Sequence, residues 1–342
     1  MKATIITGSF PPDICGVGDY TACLLNTQEA QNWKLLYTKN WKLSNIKNIL
    51  KDIKKINSHI IIFQYPTMGY KWSLSPQLLC LYYTFFTNKK TIVVLHELSQ
   101  RTIKAKIATI PFLFANRVIF TNQYEKEYAS KLIPWNKPKY KIVKIYSNIS
   151  APVKLKNLKE RDIDLVYFGH IRPNKGIEDF LEIVIKCKTE KSINACIVGQ
   201  IIPEYKEFYI RIQDICEKNN INIQTNKAIE EVTNILNRSK IALLPFPDGL
   251  SERRGTLLAA LASGCSIFSY AGKYTTKELQ ATCIITKKDT ASHDIISYLE
   301  NITEKTFSTQ QDNNLSYLKK EFPLSWEDVV KQYKYIINNI KL

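Results

Sequence analysis

The sequence has no run of about 18 apolar residues, so it offers no helix able to cross a bilayer. Residues 2–8 (KATIITG) read as a strand, with no small-residue cleavage site behind them, so a secretory leader is not expected. None of the eight cysteines, at positions 15, 23, 80, 187, 196, 216, 265 and 283, belongs to a C-x-x-C pair, and most lie inside apolar runs. Reduced, buried thiols of a cytosolic protein fit that distribution; a metal site or a disulfide framework does not. Internal repeats and low-complexity tracts are missing too, and the apolar fraction of 45 % is that of a folded chain.

Acidic residues are scarce in one half only. Residues 1–150 hold 21 Lys and Arg against 7 Asp and Glu, a net of +14, whereas the remainder holds 27 against 24, a net of +3. An anionic membrane surface, an anionic substrate or a nucleic acid can each use such an excess, and lysines kept for solubility are the plainer alternative. No nucleic-acid module is visible, and the lysines are spread rather than interleaved with exposed aromatics, so a nucleic-acid partner is not expected. The segment 101–115 (RTIKAKIATIPFLFA) sets Arg101, Lys104 and Lys106 beside a bulky apolar face, as a helix at a membrane interface does. A core helix with a solvated basic side has the same pattern.

Strand and helix patterns alternate along the whole chain, which predicts parallel sheets with helices on both faces. Strands are expected at 2–8, 34–38, 60–64, 91–95, 117–121 and 140–145, with helices at 19–25, 43–56, 75–87 (buried), 101–115 and 124–132. Residues 151–161 read as a polar linker. A second alternating series then begins at Asp164, with strands at 195–198, 221–224, 241–246, 266–270 and 283–285 and helices from 177, at 207–218, 230–237, 291–302 and 325–340. At 342 residues the chain has length for two domains.

The stretch around which the chain is organised runs from Ser251 to Gly264, after the apolar run 241–246. An apolar strand meets the turn residues Pro247, Asp248 and Gly249, and then a helix for which Thr256 is the expected N-cap and Gly264 the C-terminal stop. Free N–H groups and the positive helix end make such a turn an anion site, and Arg253 and Arg254 add guanidinium forks suited to phosphate. An ordinary αβ turn carrying two surface arginines is the alternative. Loops with related features follow other strands: Cys15-Gly16-Val17-Gly18 after the first, His96 at the end of the strand 91–95, and Gly169-His170-Ile171-Arg172-Pro173-Asn174-Lys175-Gly176 after the strand 164–168.

In order and spacing these motifs resemble glycosyltransferase family 4, retaining GT-B enzymes that use nucleotide sugars, over nearly the whole chain. The family's Gly-Gly-Val-Gly loop appears as Cys15–Gly18, its strand-end histidine as His96, and its Gly-Arg-Leu-x-x-x-Lys-Gly as Gly169–Gly176. Its alanine-rich donor helix appears in Pro245–Gly264, and its late Phe-Ser-Trp as Leu324-Ser325-Trp326. The departures fall on particular residues. His170 stands where the family has arginine, with Arg172 as its substitute, and Ser251 and Ala259 stand where it has two glutamates, with Glu252 one position from the first.

The resemblance implies two tandem Rossmann-like domains with parallel sheets facing a cleft: 1–155 for the acceptor, 156–322 for the donor, and a terminal helix in 323–342 packing back on the first. It implies His96, Arg172, Lys175 and Glu252 as catalytic residues. Donor binding would fall to Gly16, Gly18, Gly199, Lys227, Ala228, Arg253, Gly255, Thr256, Leu257 and Ala259. Arg101, Lys104 and Lys106 would meet the membrane or the acceptor. No cofactor and no metal is expected, only a nucleotide-sugar co-substrate, UDP or GDP first. Asp162 and Asp164, an Asp-x-Asp pattern used for metal in another glycosyltransferase fold, open a strand away from the expected cleft and read as coincidence. The implied reaction transfers a hexosyl group with retention to a glycan or a polyprenyl-diphosphate-linked acceptor, on the cytoplasmic face of a bacterial membrane, in O-antigen, capsule or related synthesis. A GT-B-fold partner subunit that binds sugar without transferring it is the alternative.

Overall fold

The computed structural model describes residues 2–340. In chain order the elements are β1 (Ala3–Thr7), α1 (Gly16–Leu25), β2 (Trp33–Tyr37), α2 (Ile46–Ile56), β3 (Ile60–Tyr65), α3 (Ser75–Phe85), β4 (Lys90–Leu95), α4 (Ile103–Thr109), β5 (Arg117–Phe120), α5 (Gln123–Leu132) and β6 (Tyr140–Ile142). They continue as β7 (Ile163–Ile171), α6 (Ile177–Glu190), β8 (Ala195–Ile201), α7 (Lys206–Lys218), β9 (Asn222–Thr225), α8 (Ile229–Asn237), β10 (Ser239–Leu244) and α9 (Gly255–Ala262). The last are β11 (Ser266–Tyr270), α10 (Lys277–Thr282), β12 (Ile284–Thr286), α11 (Ala291–Asn301), α12 (Glu304–Glu321) and α13 (Trp326–Asn338). The chain forms two compact units, one of residues up to Tyr146 together with those from Pro323, the other Ser147–Phe322.

Each unit is a Rossmann-like six-stranded parallel sheet. The first has the order β2-β1-β3-β4-β5-β6 and the second β12-β11-β10-β7-β8-β9. Central strands β1 and β3 are buried along their whole length, as a sheet covered by helices on both faces requires. In the first unit α13 supplies part of that cover: Val329, Val330, Tyr333, Ile336 and Ile337 join Ile5, Ile62 and Val94 in one core. In the second, α6 and α11 share a core with β7, β8 and β10.

Several elements differ from the sequence reading. The segment 101–115 is not one α-helix: α4 ends at Thr109 and Ile110–Phe114 continues as a 3₁₀ turn, because Pro111 has no N–H to extend the ladder. The helix expected to be buried at 75–87 covers only one of its faces, with Leu79, Cys80 and Tyr83 inside and Leu78, Tyr82 and Phe85 outside. Helix α9 starts two residues early, with Arg254 rather than Thr256 at the cap position, and no side chain caps it. Its other end is as read: Gly264 sits at φ +70°, and Cys265 N–H bonds Ala260 O at 3.1 Å in the closing turn. Helices α10 and α12 have no counterpart in the sequence reading.

The polar stretch 151–161 ends in an arginine with a structural task. Arg161 is 2 % exposed and donates to the carbonyls of Lys156, Leu236, Ser239 and Ser263, with its guanidinium 4.9 Å from the centre of the Phe307 ring. One side chain thereby satisfies the carbonyl ends of both α8 and α9. The eight cysteines carry no disulfide, and all but Cys23 are buried.

Candidate functional site

In the second unit the strand order reverses between β7 and β10: β8 and β9 follow outward on one side, β11 and β12 on the other. Ligands of open parallel sheets bind beyond the carboxyl ends of the strands at such a reversal. The two loops that leave β7 and β10 there are the two read from the sequence, Arg172–Gly176 and Pro245–Arg254. They touch directly. A Cβ on Gly176, which is held at φ +83°, would stand 2.1 Å from the Pro245 carbonyl oxygen, so no other residue fits between the loops.

Positive charge gathers around this junction. The Tyr167 hydroxyl, on β7, donates to the Lys175 carbonyl at 3.0 Å. Burial pushes that phenol well up, and the nearby Arg254 and Arg172 charges pull it the other way. Burial likewise pushes the His170 imidazole down to about 4, helped by Lys175 and Arg172. His170 is therefore a neutral ring among cations at neutral pH. From the β10 side, Arg254 lies 4.2 Å from the centre of the Phe246 ring and pairs with Asp248. Arg253 lies 3.4 Å from the same carboxylate and over Tyr274. Asp248 thus draws both arginines of the stretch inward, a restraint that the turn signal alone did not reveal.

Gly255, Thr256 and Leu257 form the uncapped first turn of α9, and a Cβ on Gly255 would meet nothing within 4 Å. The backbone there faces open space, as an anion-binding helix end needs. Leu257 and Ala259 are buried at 0 % and 1 % exposure, so their side chains pack the helix onto the sheet. The Ser251 hydroxyl is buried without a partner among the described residues. Glu252 accepts a hydrogen bond at 3.1 Å from Tyr317 on α12. Gly199, near the end of β8, lies beside Gly169, and a Cβ on it would come within 2.1 Å of the Gly169 carbonyl. Its own carbonyl accepts from Asn226 N–H at 2.9 Å, which ties it to the turn carrying Lys227 and Ala228. Lys227 pairs with Glu231, and that carboxylate also accepts from Ala228 N–H. The structure therefore groups Arg172, Lys175, Arg253 and Gly255 at the β7/β10 junction, and Gly199, Lys227 and Ala228 beyond β8 and β9.

In the first unit the corresponding reversal lies between β1 and β3. Their loops interlock: Gly69 N–H donates to Ser9 Oγ at 2.8 Å, and a Cβ on Gly69 would overlap the Gly8 carbonyl at 1.6 Å. Gly16 opens α1, and a side chain there would meet nothing within 4 Å, while a Cβ on Gly18 would press on Ser9 O at 3.0 Å. His96, just past β4, bonds through Nε2 to Gln64 Oε1 at 2.9 Å and meets the Tyr20 ring edge-on at 4.8 Å. Burial pushes this imidazole down to about 3, so it is uncharged at neutral pH, a hydrogen-bonding group rather than a cation. With Nε2–H given to Gln64, Nδ1 is the acceptor nitrogen.

The sequence reading missed the support behind His96. Tyr20 is clamped by α13, with its hydroxyl 2.6 Å from that of Tyr333 and its ring 5.0 Å from Trp326. Glu125 on α5 accepts from Leu98 N–H, Ser99 N–H and the Ser99 hydroxyl, fixing the loop that follows His96. Nothing local marks these residues: they lie 76 and 29 positions from His96 in sequence, or in a helix that looks merely solvated. Arg101 stacks over Tyr65 at 4.9 Å and Lys106 over Tyr128 at 5.0 Å, while Lys104 is exposed. Asp162 pairs with Arg238, and Asp164 with Lys240 and the Asn194 N–H, at the start of β7 and so at the sheet end opposite the β7/β10 junction. Among the described residues no helix is long and apolar enough to cross a membrane.

No protein-family model and no curated protein sequence matches this chain. Solved structures do. A glycosyltransferase from Rickettsia africae ESF-5 matches at TM-score 0.70 and 14 % identity over 99 % of each chain. HepE from Anabaena in complex with UDP matches at TM-score 0.74 and 11 % identity, over 99 % of this chain and 100 % of that one. A sucrose-phosphate synthase from Thermosynechococcus elongatus matches at TM-score 0.70 and 14 % identity, over 99 % of both. Two tandem Rossmann-like parallel sheets, matched end to end in this way, are the GT-B fold.

Proposed function

We propose that the protein is a nucleotide-sugar-dependent glycosyltransferase of the retaining kind, most similar in its motifs to family 4. The observation that carries this reading is the junction of β7 and β10, where Arg172, Lys175 and the open, uncapped first turn of α9 collect. A glycosyl donor leaves a diphosphate behind as the anomeric bond breaks. Catalysis is then mainly stabilisation of that developing charge, which fixed cations and helix N–H groups supply. The UDP complex of the Anabaena neighbour makes UDP-sugars the first donors to test, ahead of GDP-sugars.

In this reading Arg172 and Lys175 hold the diphosphate. Gly199, Lys227 and Ala228 line the base and ribose side, and Glu252, steadied by Tyr317, meets sugar hydroxyls. His96, neutral and held by Gln64 and Tyr20, holds a hydroxyl of the sugar or acceptor through Nδ1. Retention with attack on the leaving-group face needs no dedicated protein nucleophile, and a donor phosphate oxygen takes the acceptor proton. The acceptor side is the basic first unit, suited to a glycan on a polyprenyl diphosphate at an anionic membrane, as in bacterial surface-polysaccharide synthesis. Hexosyl transfer at the cytoplasmic face belongs to the same proposal.

The alternative, a partner subunit that binds a nucleotide sugar without transferring it, draws on Ser251 and Ala259 standing at the family's glutamate positions. Thermal shift and slow donor hydrolysis against UDP-, GDP-, ADP- and CDP-sugars separate the two. The enzyme reading expects one donor that stabilises and is hydrolysed by the parent and not by the Arg172→Ala, Lys175→Ala variant. Stabilisation with neither hydrolysis nor transfer favours the partner subunit.

A further inference from the structure

We infer that α3, with α4 beside it, is a lipid-docking face that inserts into an anionic membrane surface; this rests on the membrane part of the reading above and not on its donor chemistry. Helix α3 (SPQLLCLYYTF) contains no charged residue at all. Half of it is core, and the other half is apolar and uncovered: Leu78, Tyr82, Phe85 and Phe86 lie at i, i+4, i+7 and i+8 on one face. Ile103 and Ile107 are also exposed, on α4, which runs into the 3₁₀ turn that packs on α3. Phe86 and Ile103 each keep 77 % of their surface exposed. An exposed apolar helix face of this kind is unusual on a monomer and marks a contact surface.

Charge decides the occupant. Residues 65–115 hold six basic side chains and one acidic, Glu97; of the six, Lys71 and Lys104 are exposed, Arg101 and Lys106 lie over Tyr65 and Tyr128, and Lys89 and Lys90 are tied to the Ser58 and Ile340 carbonyls. A second copy of this chain would bring two basic surfaces together and pay their repulsion. An anionic bilayer meets both requirements at once, with the rings and isoleucines in the acyl boundary and the lysines among the headgroups.

The test is flotation with phosphatidylcholine vesicles with and without phosphatidylglycerol, using the full chain and a Phe85→Ser, Phe86→Ser variant. Both residues are exposed, so the variant keeps its fold, checked by its melting curve. The parent is expected to float with the anionic vesicles, and the variant to partition about tenfold or more weakly. Brominated lipid should quench the fluorescence of exposed Trp72 in the parent. Equal flotation of parent and variant, or no flotation of the parent, overturns the proposal. So does a concentration-dependent dimer of the parent that the variant abolishes, since the face then belongs to a second copy. Donor hydrolysis in solution should be unchanged by the variant; its absence in the parent would count against the glycosyltransferase reading and leave the flotation result standing.

Discussion

The two units carry their charge in opposite ways. The first unit holds +15 of the chain's +17, yet the groups at its strand reversal are neutral: an uncharged His96, Gln64, Tyr20 and interlocked glycines. The second is nearly balanced at +2, yet its reversal concentrates Arg172, Lys175, Arg253 and Arg254 on two touching loops. Net charge therefore describes what surface a unit shows to large partners, whereas placement on the sheet describes what its site binds. In the function proposed above, the basic surface meets a membrane and the balanced unit holds the donor's diphosphate.

That contrast breaks most sharply at Arg172. Its replacement by Ala is expected to lower donor turnover about a hundredfold or more. Changing the exposed Lys51, Lys54 and Lys55 to Gln should leave turnover within about twofold. Steady-state kinetics on the donor found in the panel checks both, and equal losses would dissolve the distinction between surface and site. Next in size is Arg161. Leu at this position leaves the carbonyl ends of α8 and α9 unpaired and should cost the second unit on the order of 3 kcal/mol in urea unfolding. Tyr20→Phe, which removes the hydroxyl partner of Tyr333, should cost the first unit about 1 kcal/mol in the same measurement.

The neutral histidines sharpen the comparison through pH. His96 in the folded protein accepts a proton only near 3, whereas an unfolded histidine does so near the ordinary value of about 6.5. The unfolded chain therefore binds more protons across that window. Stability contributed by the neutral ring is present above about 6.5 and is lost as pH falls toward 3. His170, with a folded value of about 4, acts in the same direction. NMR should show neither imidazole titrating between about pH 5 and 8. A His96 that protonates near 6.5 would make the first unit's site cationic and remove the contrast. The smallest effect is expected at Asp162, whose ion pair with Arg238 is largely exposed. Its change to Asn should alter stability by less than about 1 kcal/mol and leave donor turnover unchanged.

Both sheets were legible because their strands are short, apolar and regularly spaced, and the loops that carry glycine or proline signals fell on the reversals. What escaped the sequence reading has a common cause. Helix α12 presents Phe307, Gln311 and Asn314 to the interior, and the last two bond the carbonyls of Lys156 and Cys265. A buried face made partly of amides has no apolar period to read. Helix α3 failed the other way: it is apolar all round, which reads as buried, and the structure covers only half of it. Asp248, Tyr20 and Tyr317 acquire their roles from partners on other elements, which a linear pattern does not record. Arg161, at the end of a polar stretch, looked like linker for the same reason.

The return of the chain to its first unit has a consequence for synthesis. Helix α13 contributes Val329, Val330, Tyr333, Ile336 and Ile337 to the core that also contains Ile5 and Ile62. The ribosome makes the whole of Ser147–Phe322 before those five residues exist. The first unit translated is thus the last to close, and until then one face of its sheet waits for the cover that α13 brings. Completion of the first unit waits for the last helix, against the usual amino-terminal precedence, and a released chain truncated before α13 would have a complete second unit and an open first one.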